Sequence, residues 1–121
     1  MPLRSLSSSV LVWPNRTQID DAVRRWAARI AEDHPELVRL GYFGSYARGN
    51  WGVGSDLDLI AVVGSTGDRF DRRALAWDVT ALPVPAEILI YTEAEWRDLD
   101  LQGGRFAEML ARDTVWVFSR T

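Results

Sequence analysis

Hydrophobic positions along the chain recur with two periods, one typical of helices and one typical of strands. Between residues 17 and 33 they fall every three or four positions, which places them on one face of a helix. That face consists of Ile19, Val23, Trp26, Ala27 and Ile30. Thr17 and Asp20 have the spacing of an N-terminal capping pair, and Pro35 ends the predicted helix.

Shorter apolar runs, bounded by glycine, proline or polar residues, predict four strands at residues 37–43, 56–63, 86–91 and 115–118. Further helices are predicted at 70–79, after a capping box that begins at Thr92, and at 105–112. The arginines of the 70–79 helix are expected on its solvated face: Arg69, Arg72 and Arg73. The length of 121 residues predicts a single domain over residues 1–121, with residues 1–14 as either a loose N-terminal tail or an edge strand.

Charge and hydropathy narrow the range of partners. The formal net charge of −3 argues against broad electrostatic binding to nucleic acid or to an anionic membrane. No apolar run has the length of a membrane span, and the amino terminus lacks a convincing signal peptide. The expected location is therefore the cytoplasm.

Several kinds of catalysis are excluded because the residues they require are missing. There is no cysteine, so thiol catalysis, thiolate metal sites and disulfides are excluded. All 14 basic residues are arginine, which excludes a Walker-A lysine and a Schiff-base lysine. One histidine, His34, cannot form a multi-histidine zinc site within one chain. Carboxylates, hydroxyls, arginines and backbone groups remain for chemistry.

Two carboxylates stand at the start of an otherwise apolar strand. Because strand side chains alternate between faces, Asp56 and Asp58 should share one face while Leu57 and Leu59 line the other. Like charges at this spacing repel each other, and a divalent cation between them would offset the repulsion. This pair therefore predicts a metal site.

A glycine-serine turn precedes this strand and favours phosphate. Gly44 has no Cβ to obstruct a ligand that approaches the backbone, and the Ser45 hydroxyl can add a hydrogen bond. The following turn of helix presents free N–H groups, and Arg48 adds a positive charge. A phosphate site beside a metal site describes a metal-bound nucleotide.

The string GSYARG, five further residues and SDLDL resemble the signature of the DNA polymerase β-like nucleotidyltransferase superfamily, and in particular its minimal nucleotidyltransferase (MNT) branch. The resemblance implies an α+β fold with a small mixed β-sheet flanked by helices. It also implies that Gly44 and Ser45 hold the triphosphate and that Asp56 and Asp58 hold two Mg²⁺ ions, with Mn²⁺ as an alternative. Ser55, which opens the second string, joins Arg48 as a nucleotide-binding candidate.

The family places a third carboxylate on a later strand, and here Glu87 in the run AEILIY occupies that position. The family usually has aspartate there, so this chain carries a ligand one methylene longer. Glu87 is accordingly expected to complete the catalytic and metal-binding set with Asp56 and Asp58. The alternative is that Glu87 is simply a polar residue on a strand edge.

The resemblance also implies a function. MNT proteins transfer a nucleoside monophosphate, here AMP from ATP in the first instance, to a hydroxyl acceptor. Many act as antitoxins that adenylylate a separate helical HEPN toxin, so a HEPN-type partner is expected, and a homo-oligomer is left open. The alternatives are an aminoglycoside-type small-molecule nucleotidyltransferase and a non-catalytic module that binds a nucleotide or a partner. Trp51, in the glycine-rich loop, either stacks on a base or partner or covers the loop.

Overall fold

The structure, a computed structural model, describes residues 13–120. The predicted tail or edge strand at 1–14 therefore lies almost wholly outside the described residues. In the described part, the elements follow in this order: α1 (Arg16–Asp33), β1 (Leu37–Phe43), α2 (Ser45–Arg48), β2 (Leu57–Val63), α3 (Phe70–Arg73), β3 (Ala86–Thr92), α4 (Glu93–Gln102), α5 (Arg105–Asp113) and β4 (Val115–Ser119). None of these helices is long and apolar enough to cross a lipid bilayer.

The four strands form one mixed sheet in the order β3-β2-β1-β4. β1 is antiparallel to both β2 and β4, whereas β2 and β3 are parallel. A parallel pair needs a crossover connection, and residues 64–85 supply it between β2 and β3. The sheet and its flanking helices confirm the predicted α+β fold.

Hydrophobic residues cover both faces of the sheet. The larger core lies between the sheet and α1, and all five residues predicted for the inner face of α1 are buried in it. Leu57 and Leu59 of β2 join this core, whereas Ile60 faces the smaller core on the other side with Phe43 and Leu110. The alternation predicted for the second strand is therefore present. It turns Asp58 away from α1, toward the face that α4 and α5 cover.

The start of α1 differs from the prediction. Asn15 is the N-cap: its side chain accepts a hydrogen bond from the Gln18 N–H, and the Gln18 side chain accepts one from the Asn15 N–H. The capping pair assigned to Thr17 and Asp20 was thus wrong by two residues, because asparagine with glutamine has the same spacing and the same chemistry. Asp20 instead accepts hydrogen bonds from Tyr42 and Arg24.

The helix predicted at 70–79 is also wrong in extent. Only Phe70–Arg73 is α-helical, and two short 3₁₀ turns follow, at Ala74–Ala76 and Val79–Ala81. The Asp78 side chain accepts a hydrogen bond from the Thr80 N–H, a local bond that competes with helical pairing. Arg73 was expected on the solvated face, but it is buried against β3 and α4.

Arg73 fastens the crossover segment to the rest of the domain. Its guanidinium donates to the Ile90 carbonyl at 3.0 Å and to both carboxylate oxygens of Glu95 at 2.6 and 3.2 Å. Glu95 also accepts from the Thr92 N–H in the predicted capping box, which is confirmed. The hydrogen bond from Arg73 comes first among the causes that lower the pKa of Glu95 to about 2.

Because Arg73 and Glu95 form this ion pair, we expect the free energy of unfolding to fall in acid. Because the pKa of Glu95 is lower in the folded state, its contribution is present above its ordinary value of 4.5 and disappears as the pH falls toward 2. Glu95→Gln should lower the free energy of unfolding by about 1–2 kcal/mol at pH 6, since 41% of the Glu95 side chain is exposed and solvent screens the pair. Urea titrations at successive pH values measure the difference between the two proteins.

The difference should shrink steadily below pH 4.5 and be nearly absent at pH 2. Glu108→Gln, at an exposed position on α5, is the matched control and should have little effect at any pH. A difference that stays constant from pH 6 to pH 2 would show that Glu95 acts by packing and not by charge.

Candidate functional site

The turn after β1 brings the backbone against one of the candidate metal ligands. Gly44 adopts φ 76° and ψ −150°, a conformation that is essentially restricted to glycine. A Cβ at this position would collide with the Asp58 carboxylate. Gly44 is thus required by its backbone conformation and by the carboxylate beside it. The two ends of the predicted motif, the glycine turn and the acidic strand, are in direct contact.

α2 follows this turn and is only one turn long. It is closed by hydrogen bonds from the Arg48 N–H to the Gly44 carbonyl and from the Gly49 N–H to the Ser45 carbonyl, each 3.0 Å long. Among the described residues, the half-buried Ser45 hydroxyl has no hydrogen-bond partner. A helix this short has a small dipole, so a phosphate here would bind to individual amides and to this hydroxyl.

Tyr46 anchors the glycine-rich loop to α2. Its ring is fully buried, and its hydroxyl donates to the Ser55 carbonyl and accepts from the Trp13 indole N–H. Trp51 stacks on it with ring centroids 5.3 Å apart. This contact agrees with the predicted role of Trp51 in covering the loop, and its predicted stacking on a base or partner stays a prediction. The Ser55 hydroxyl accepts from the Gly52 N–H and still has its own proton to donate.

The carboxylates lie where β2 and β3 begin. Asp58 and Glu87 are direct partners in the parallel register, so their side chains project from neighbouring strands on the same face. Asp56 lies just before β2, which begins at Leu57, so the predicted strand at 56–63 began one residue too early. Burial comes first among the causes that raise the pKa of Asp58, followed by the negative charges of Glu87 and Asp56. The structure thus brings the three predicted carboxylates to one edge of the sheet.

Arg48 lies between this group and α5. Its positive charge opposes the upward shift in the pKa of Asp58. Its guanidinium is also 3.8 Å from the carboxylate of Asp113, which in turn is hydrogen-bonded to Arg112. Arg48 therefore influences Asp58 electrostatically, and it also pairs with an acidic residue that the sequence did not single out. Asp113 lies 65 positions from Arg48, and the pairing of β4 with β1 and the packing of α5 on the sheet bring the two together.

Comparison with known proteins identifies the family. A family model described as a nucleotidyltransferase domain matches residues 23–107, about two thirds of the chain. The chain belongs to the nucleotidyltransferase domain family. No curated protein matches it in sequence.

Solved structures share the fold of this nucleotidyltransferase domain at low sequence identity. A candidate nucleotidyltransferase from Sulfolobus solfataricus is 19% identical, with a TM-score of 0.63 over 87% of this chain and 84% of that one. A toxin–antitoxin complex with AMP-PNP gives 17% identity and a TM-score of 0.57, over 81% of this chain and 74% of that one. A mutant of the MntA–HpeT toxin–antitoxin gives 16% identity and a TM-score of 0.54 over the same shares. At these identities the likeness establishes the fold.

The donor set of the nucleotidyltransferase domain suits a hard divalent cation. Three carboxylates offer oxygen ligands, and their mutual repulsion at Asp58 is the kind that a cation relieves. No group of three or more acidic or histidine side chains among residues 13–120 is spaced as a complete metal site. The chemistry of Asp56, Asp58 and Glu87 therefore fits a metal ion, and their side chains must converge further to coordinate one together.

Proposed function

We propose that this nucleotidyltransferase transfers a nucleoside monophosphate, AMP from ATP in the first instance, to an acceptor hydroxyl with the help of divalent cations. The observation that carries the proposal is the position of Asp58. Its carboxylate lies against the Gly44 turn on one side and beside Glu87 on the other. A phosphate bound at the turn would therefore lie next to the carboxylates.

The nucleotide would bind at the turn. Gly44 leaves room for phosphate oxygens at the backbone, and Ser45 donates its hydroxyl. The positive charge of Arg48 opposes the upward shift in the pKa of Asp58, and the same charge would attract a phosphate bound at the turn. Ser55 lies in the glycine-rich loop, and we assign it to holding this loop beside the nucleotide, with its hydroxyl proton available to a phosphate oxygen.

Asp56 and Asp58 would hold an Mg²⁺ ion that accompanies the nucleotide, and the same two carboxylates together with Glu87 would hold a second. Bound ions of this kind neutralise phosphate charge and lower the pKa of an acceptor hydroxyl. Glu87 is exposed at the edge of the site, where it can accept the proton of the acceptor hydroxyl. The acceptor oxygen forms a bond to the α-phosphorus, the bond from that phosphorus to the bridging oxygen breaks, and pyrophosphate leaves.

We further propose that the acceptor belongs to a partner protein, as in a toxin–antitoxin pair. Two of the structures with this fold are toxin–antitoxin complexes, and one of them was solved with AMP-PNP. In this chain the antitoxin role would require a helical partner of the HEPN type, modified on a hydroxyl side chain in the cytoplasm. A non-catalytic module that only binds a nucleotide or a partner is the second candidate, because the three carboxylates are not preassembled around one ion position.

The first test is metal-dependent nucleotide binding. Titration calorimetry with a non-hydrolysable ATP analogue and Mg²⁺ should show binding that weakens at least tenfold in Asp56→Asn/Asp58→Asn, because the ligands of the nucleotide-bound ion are lost. Asp98→Asn/Asp100→Asn removes two exposed carboxylates from α4 and is the control with the same charge.

Transfer is then followed with ATP labelled on the α-phosphate, in the presence of a co-expressed helical partner. Label should appear on the partner with the wild type and with the control, but not with the Asp56/Asp58 variant. Equal binding in all three proteins would exclude these carboxylates from the nucleotide site. Metal-dependent binding without transfer by any of the three would favour the non-catalytic module.

A further inference from the structure

A bulge in β1 places an arginine on an unexpected face. Leu37 pairs with Val63, but Arg39 pairs with Val62, so the register shifts by one residue between them. Residues two apart on a regular strand share a face. Here Leu37 joins the core on the α1 side, whereas Arg39 contacts Trp96 and Trp116 on the α4 side. Bulges redirect side chains in this way and occur often beside functional sites.

The Arg39 guanidinium contacts two aromatic rings, and no acidic side chain of residues 13–120 pairs with it. Its central carbon lies 4.3 Å from the ring centroid of Trp116 and 5.5 Å from that of Trp96. Within residues 13–120, Arg39 is the one half-buried arginine that has no hydrogen bond or ion pair. The other half-buried or buried arginine, Arg73, has its donors bound to Glu95 and to backbone carbonyls. The two tryptophans therefore fix the plane of the Arg39 guanidinium, and no residue of the described part of the chain accepts a hydrogen bond from its N–H groups.

A groove of about 290 Å³ opens beside this guanidinium. The residues that line the Arg39 groove are Val38, Arg39, Val62, Glu93, Trp96 and Arg97. Arg97 adds a second positive charge, and Glu93 adds the one negative charge, without an ion pair to either arginine among the described residues. The valines and Trp96 give it apolar walls. Its volume lies at the lower limit for small-molecule sites and suits one or two side chains of a polypeptide.

We propose that the Arg39 groove docks an aspartate or glutamate side chain of a partner protein. The guanidinium would bind the carboxylate with two parallel hydrogen bonds, while the valines and Trp96 would contact the methylenes that carry it. Nucleic acid fits less well, because a chain with a net charge of −3 repels a polyanion at long range. Docking in the Arg39 groove rests on the proposed function in one respect only, namely that both require a polypeptide partner.

The groove is separate from the candidate reaction site. Arg39 lies five residues before Gly44 on β1, roughly 16 Å along the strand. Partner docking can therefore be disrupted without changing a residue of the nucleotide site. If nucleotide binding fails and docking succeeds, only the proposed function is wrong, and the reverse result excludes only the docking surface.

The test uses nuclear magnetic resonance of the ¹⁵N-labelled protein, with a capped tetraglutamate peptide as the probe. The Arg39 side-chain N–H and the indole N–H groups of Trp96 and Trp116 should shift in a saturable way. Arg39→Gln should weaken binding at least tenfold, because hydrogen bonds to a charged group are lost. Glu93→Gln should strengthen it about two- to fivefold, because the groove loses its one negative charge.

Arg29→Gln is the matched control. It removes one exposed arginine from α1, on the opposite face of the sheet, and should leave binding unchanged. A capped tetraglutamine peptide should not bind. The proposal is overturned if no saturable shift occurs, if inorganic phosphate binds as tightly as tetraglutamate, or if Arg29→Gln weakens binding as much as Arg39→Gln does. Weaker binding in Glu93→Gln would also overturn it, and that variant does not depend on whether Arg39→Gln folds.

Discussion

Replacing Glu87 by glutamine should lower the rate of nucleotidyl transfer about a thousandfold, while the dissociation constant of ATP changes by no more than about threefold. A general base contributes a factor of this size, and a glutamine cannot accept the proton of the acceptor hydroxyl. Nucleotide binding should persist because the Gly44 turn, Ser45 and the carboxylates of Asp56 and Asp58 are untouched. Single-turnover rates with α-labelled ATP and calorimetric titrations with the analogue measure the two effects separately.

Two further variants sharpen this test. Glu87→Asp keeps the negative charge, and the strand register holds position 87 opposite Asp58. We therefore expect this variant to recover most of the transfer rate. Glu108→Gln removes an exposed carboxylate on α5 and should have no effect. If Glu87→Gln weakens ATP binding as much as it slows transfer, Glu87 is a nucleotide ligand and not a base. If the rate is unchanged, Glu87 has no part in the reaction.

Gly44→Ala should lower the free energy of unfolding by about 2–4 kcal/mol. Holding alanine in this conformation costs about 1–3 kcal/mol, and its Cβ must also displace the Asp58 carboxylate. Gly54→Ala is the matched control, because Gly54 also has a positive φ, of 88°, but its Cβ would meet no atom within 4 Å. Gly54→Ala should therefore show backbone strain alone, about 1 kcal/mol. Urea unfolding of both variants measures the difference.

A double-mutant cycle isolates the contact between the turn and the carboxylate. In an Asp58→Ala background, Gly44→Ala should be milder than in the wild type by at least about 1 kcal/mol, because the collision is gone and only strain remains. The pKa of Asp58 is raised by burial and by its neighbours, so removing its charge should not itself unfold the protein at neutral pH. Equal effects of Gly44→Ala in both backgrounds would mean that the turn and the carboxylate do not interact.

Much of the fold could be predicted from the sequence because the elements that carry it have clear periods. The inner face of α1 and the first strand, Leu37–Phe43, agree with the prediction residue by residue. The alternation of Asp58 with its apolar neighbours also placed it on the correct face, and the single charged residue of AEILIY is its direct partner. These features depend on local spacing, and local spacing is what a sequence displays most directly.

The features that were missed depend on contacts between distant residues. Arg73 has the spacing of a solvated residue, yet an acidic partner 22 positions away on α4 draws it inward. Nothing local marks the bulge before Arg39 or the pairing of Arg48 with Asp113. Tyr46 could have been selected from the sequence, because it lies inside the GSYARG motif. Its role in holding the loop could not, because that role depends on contacts with Trp13, Trp51 and the Ser55 carbonyl.

The parallel register of β2 and β3 has a consequence for how such a site can vary. Position 87 is fixed opposite Asp58 by main-chain hydrogen bonds, and a bond of 2.8 Å from the Leu57 N–H to the Pro85 carbonyl secures the start of the pair. Main-chain bonds do not depend on which side chain is present. A glutamate in place of an aspartate therefore changes the reach of the carboxylate and leaves its anchor point where it was. A change of side-chain length at this position would therefore alter the space between the two carboxylates while the scaffold stays the same.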